Sequence, residues 1–116
     1  MTAAEQLESQ VQYEGPGVGS ELWGGVQANF LVTWPHHHSR EIAVLLNDPA
    51  LAYLMDRTAA VDTPEFREGA ARHVGDLWLQ KLLKEGHPIP PVVVISRASL
   101  EAVGPFVDAI VNQVRQ

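Results

Sequence analysis

Cysteine is absent from all 116 residues. That excludes a disulfide framework, a thiolate metal site and a cysteine nucleophile, and it suits a reducing compartment such as the cytoplasm. Long apolar runs are missing too: none approaches the ~20 residues a membrane-spanning helix needs. Residues 1–10, MTAAEQLESQ, have neither the basic nor the apolar region of a secretory signal. Basic side chains are scarce. Eight Lys and Arg stand against fourteen Asp and Glu, a net charge of −6, and such a chain offers little to a nucleic-acid backbone. Catalytic signatures are lacking as well. There is no GK[ST] phosphate loop, no GxSxG elbow around Ser39, Ser96 or Ser99, and no HExxH zinc motif. Asp48, Asp56, Asp62 and Asp76 fall at expected helix caps and solvated faces, not as an acid/base pair. The sequence therefore reads as a non-enzyme that needs no cofactor and no metal.

The charge that is present is unevenly placed. Residues 1–25 hold Glu5, Glu8, Glu14 and Glu21 but no Lys or Arg, and the first basic side chain is Arg40. The same stretch ends in EGPGVGSELWGG, with five of the nine glycines. Glycine loses much backbone freedom on ordering and supports no regular element. Residues 1–25 thus read as an acidic, glycine-rich N-terminal arm, with a thin helix over 3–13, and residues 26–116 as one domain. Leu22 and Trp23 point to an arm that lies on a partner, since a solvated tail seldom carries tryptophan.

Within the domain, VQANFLVTW (26–34) alternates as a strand, with Phe30, Val32 and Trp34 on one face and Pro35 as its stop. Ser39 reads as the cap of a helix striped by Ile42, Leu45 and Leu46; Asp48 and Pro49 then start a second helix or a kinked continuation, with Leu51, Leu54 and Met55 on one face. Thr63 as cap and Pro64 at the first helical position open a long helix that Gly86 closes. Its apolar residues, among them Phe66, Val74, Trp78, Leu79, Leu82 and Leu83, make a stripe wide enough for burial on two sides. PPVVVIS (90–96) reads as a short strand covered on both faces. A last helix, broken at Gly104-Pro105, carries Val103, Phe106, Val107, Ile110 and Val114. The expected fold is α+β: a small, mostly helical domain with a sheet of two or three strands.

Two stretches invite chemistry. His36, His37 and His38 are adjacent, but neighbouring side chains point apart on a strand or a helix, so three in a row do not converge on one ion. They read as an exposed turn. ISRAS (95–99) joins a strand to a helix, where Ser96, Arg97 and Ser99 suit an anion or, more plainly, a helix cap.

VTWPHHHSREIAVLLNDPALAYLMDRTAAVDTPEFREG (32–69) resembles a pattern in the neck and tail-completion (head-to-tail connector) proteins of tailed phages that infect actinobacteria. Ile42, Leu45, Leu46, Pro49, Leu54 and Arg57 carry the likeness. It implies a virion structural protein, a ring subunit made complete by protein partners in a homo-oligomer or larger assembly. DTPEFREGAARHVGDLWLQKLL and VVVISRASLEAVGPFVDAI are similar to the first half of uracil phosphoribosyltransferases. Here Ser99 replaces that family's loop glycine, and the acidic, glycine-rich loop that holds its phosphoribosyl donor is absent from these residues. This second likeness implies a binding-only relative using 95–101. The assembly reading comes first, with Leu22, Trp23, Trp34, Trp78, Leu79 and Leu83 as expected contacts. On that reading, loss of residues 1–25 leaves the fold standing and abolishes assembly.

Overall fold

A computed structural model describes residues 9–17, 24–35 and 38–115. Its elements run β1 (Gln10–Pro16), β2 (Gly25–Trp34), β3 (His38–Asn47), α1 (Asp48–Thr58), α2 (Pro64–Lys84), β4 (Val92–Ile95), α3 (Arg97–Glu101) and α4 (Gly104–Arg115). The class is α+β, and the sheet has four strands in the order β1-β2-β3-β4. β1, β2 and β3 form an antiparallel meander, while β4 returns parallel to β3 after α1 and α2.

Alternation builds one buried face. Val26, Ala28, Phe30 and Val32 of β2, Ile42, Val44 and Leu46 of β3, and Val93 and Ile95 of β4 point into the core. Leu51 and Leu54 of α1, Val74 and Leu79 of α2, Leu100 of α3, and Val107 and Ile110 of α4 meet them there. The side chains of Phe106 and Val114, expected on the α4 stripe, lie outside the described residues.

Helix α2 comes unusually close to the sheet at Gly75. A β-carbon there would stand 2.6 Å from a ring carbon of Phe30, so only glycine lets the helix settle over that phenyl group. The two long helices start as local chemistry requires. Asn47 accepts a hydrogen bond from the Ala50 N–H, and Thr63 one from the Phe66 N–H, each just before an N-terminal proline. Gly86, at φ +73°, ends α2 in the left-handed conformation.

Several expectations need correction. The helix expected from Ser39 is strand β3: Ile42, Val44 and Leu46 share a face at period two, and the Ser39 hydroxyl meets Thr33 across the hairpin at 3.0 Å instead of capping. The α1 cap is Asn47, one residue before Asp48. β4 is covered on one face only; Val92 and Val94 are 51% and 57% exposed on the other. The N-terminal stretch does support a regular element, because Gln10–Pro16 pairs along β2 and its Val11 and Tyr13 pack on the core. The sheet thus begins ahead of the boundary expected at residues 25/26, and the helix expected over 3–13 is a strand from Gln10 on. Residues 3–8 lie outside the described residues.

Candidate assembly surface

The hydrogen-bonding direction of each strand residue follows from the ladder. The Ala43 N–H donates to the Pro91 carbonyl at 2.9 Å, so Ala43 faces β4 and its neighbours Ile42 and Val44 face β2. Their partners Phe30 and Ala28 face back, which leaves Gln27, Asn29, Leu31 and Thr33 turned to β1. The Gly17 N–H duly donates to the Gln27 carbonyl at 2.9 Å. Gln10 and Gln12 oppose Thr33 and Leu31, so the peptide groups of Val11 and Tyr13 point out from an edge of the sheet that is free among the described residues. Beyond Tyr13 a bulge shifts the register, and Pro16 follows.

Between that edge and α2 lies an open cleft of about 1130 Å³. β1 gives it Val11 and Tyr13, and α2 gives it Arg72, His73, Asp76, Gln80, Leu83 and Lys84. The Arg72 guanidinium sits 4.8 Å from the Tyr13 ring centroid, and that ring meets Phe30 edge-on at 5.6 Å. The Tyr13 hydroxyl is buried with no hydrogen-bond partner among the described residues. Burial first, and then the negative charge of Glu68, raise its pKa above the ordinary phenol value, while Arg72 pulls the other way. Asp76 accepts a hydrogen bond from Gln80 at 2.9 Å. Among the described residues neither Arg72 nor Lys84 makes an ion pair.

The helices cover one face of the sheet and leave the other open. At its β4 end Val92 lies beside Ala43 and Val94 beside Leu45, and the half-buried Leu31 of β2 stands opposite Glu41. Towards β1 this face turns polar, through Gln27, Asn29, Gln10 and Gln12.

The expected contact residues do not form one patch. Leu79 is fully buried in the core, so it is no surface residue of this chain: α2 rolls it under the sheet, next to Gly75 and Val74. Leu83 is half-buried and lines the cleft. Trp78 is half-buried on α2, and Trp34 half-buried at the end of β2, with the Arg40 guanidinium 5.6 Å from its ring. Leu22 and Trp23 lie outside the described residues. Arg72, Lys84 and Tyr13 were not legible as site residues, because their meeting depends on β1, a strand with only two apolar residues at alternating positions.

At the loop after β4, the Ser96 hydroxyl accepts from the Ser99 N–H and the Ser99 hydroxyl from the Ser96 N–H, a reciprocal cap of α3. Arg97 bonds Glu101 at 3.0 Å and stacks on Tyr53. All three side chains are therefore engaged inside the fold. His38 is exposed at the start of β3, while His36 and His37 lie outside the described residues. Among the described residues no three His, Asp or Glu side chains converge as a metal site. Asp48 and Asp62, expected as separate solvated groups, are joined by Arg67, which bonds Asp62 through Nε at 2.7 Å and Asp48 at 3.0 Å. No helix among the described residues is long and apolar enough to cross a membrane.

Comparisons with family models, with curated proteins and with solved structures gave no match to this chain.

Proposed function

We propose that this chain is a non-enzymatic assembly subunit that works as one member of an oligomer. The likeness of residues 32–69 to phage connector and tail-completion proteins gives the proposal its form: a ring subunit at the junction of head and tail. The observation that carries the assembly reading is the open end of the sheet. Val92 and Val94, each more than half exposed, adjoin Ala43 and Leu45 in one apolar patch on a face the helices leave bare. Antiparallel sheets commonly turn one face to water, but that face is then polar. Here polar residues fill the β1 end and valines the β4 end. A second copy laid on this patch removes the valines from water, at about 25 cal/mol per Å² of apolar surface covered.

The test is the native mass of the untagged chain by light scattering over a range of concentrations, beside a Val92→Lys, Val94→Lys variant. Both substituted side chains are exposed, so the variant is expected to fold with the stability of the parent within about 0.5 kcal/mol. The parent is expected to form a discrete oligomer and the variant a smaller species. A parent that stays monomeric throughout, or a variant of unchanged mass, overturns the reading.

A further inference from the structure

We propose that the cleft between β1 and α2 receives the acidic first eight residues of a second copy of this chain, laid along the free edge of β1. The inference rests on the assembly reading and gives it a contact. Four observations converge on it.

The first is the edge itself. Free strand edges are usually blunted by proline, lysine or a bulge. β4 follows Pro90 and Pro91, and the far half of β1 has its bulge and Pro16. From Gln10 to Tyr13 no such device stands, and two residues, Val11 and Tyr13, turn their peptide groups outward. An added strand takes hydrogen bonds from both.

The second is charge. Arg72 and Lys84 flank the cleft without carboxylate partners among the described residues, and against them the lining sets one acid, Asp76, so its charge is positive although Glu68 acts on Tyr13 from nearby. The occupant that suits this wall is acidic. Residues 1–8 supply Glu5 and Glu8 and no Lys or Arg.

The third is position. Ser9 and Gln10 lie on the lip of the same cleft. Two copies brought edge to edge around a two-fold axis each deliver their first residues to the other's cleft, a reciprocal contact that closes. Eight extended residues reach at most about 26–29 Å, enough to follow the seven residues of β1. The fourth is the Tyr13 hydroxyl, buried with no hydrogen-bond partner among the described residues. A buried donor left unpaired is costly, so a shift of the ring that lets this hydroxyl meet a chain laid along the edge would be favoured.

The absence of cysteine makes the test clean. Two full-length chains of different isotopic mass are prepared, one with Leu7→Cys and one with Gln80→Cys, then mixed and oxidised. The expected product is a disulfide between the two chains, in excess over either self-pair. In parallel, Arg72→Glu with Lys84→Glu is expected to weaken self-association about tenfold. Adding Glu5→Lys and Glu8→Lys to that chain is expected to restore most of the loss. A chain carrying both cysteines that closes only on itself places the segment in its own cleft and overturns the exchange. An oligomer that persists without the mixed disulfide overturns this site and leaves the assembly reading standing. A chain that is monomeric at every concentration overturns both.

Discussion

Gly75 sits in the middle of a 21-residue helix, where glycine is disfavoured by about 1 kcal/mol relative to alanine. Propensity alone therefore recommends Gly75→Ala. Packing opposes it, since the new methyl would meet the Phe30 ring at 2.6 and 2.8 Å and come within 3.4 Å of Val44. Phe30 is wholly buried against Tyr13, so it has nowhere to retreat. Overpacking of this kind costs about 1–3 kcal/mol, more than the propensity returns. Gly75→Ala is expected to lower the urea midpoint with an unchanged slope. A raised midpoint would show that the helix can lift from the strand without loss. The sequence marks this glycine only as an oddity, because what it meets lies 45 residues away in the chain at Phe30 (75 − 30).

At the scale of elements, what was legible was what is local. Thr63-Pro64 and Gly86 fix both ends of α2 by chemistry within a few residues, and the structure puts the helix there. Strand β3 was lost to an ambiguity. Ile42, Leu45 and Leu46 fit a helical stripe, while Ile42, Val44 and Leu46 fit a strand, and only the pairing with β2 chooses between them. β1 was lost for want of apolar residues, since an edge strand half covered by a helix needs few. The join between elements also carries a pH dependence. Arg67 of α2 holds Asp62 in the preceding loop and Asp48 at the start of α1. Its hydrogen bonds keep the Asp62 carboxyl below the ordinary value of 3.8, against the opposing effect of burial, and its charge adds to them. A depressed carboxylate contributes stability that is present above the unfolded value and is lost as pH falls through the folded one. Urea midpoints measured from pH 6 downward are thus expected to fall below about pH 4, and Asp62→Asn to flatten that fall. An identical profile for the variant would remove Asp62 from the account.

For the whole molecule, the place of β1 changes what truncation means. Residues 1–25 include the strand that covers one flank of β2, and their removal takes Val11 and Tyr13 from the core. That deletion is expected to destabilise the fold, contrary to the reading of the stretch as a detachable arm. Deletion of residues 1–8 alone leaves all four strands in place and is expected to keep the melting transition while reducing the native mass. Equal melting temperatures for the two truncations would overturn this distinction. The candidate site was hidden in the sequence for the same reason. Its cations come from a helix that was legible, but its floor is a strand that was not.

The parallel pairing of β3 with β4 also dictates an order of events during folding. The meander from Gln10 to Asn47 uses neighbours in sequence, whereas the bond from Arg40 to the Ile89 carbonyl spans 49 residues and the fourth strand follows it. Closing so long a loop comes after the hairpins. During synthesis β3 therefore waits as a bare edge while α1 and α2 emerge, and a chain cut short before Val92 keeps that edge unsealed.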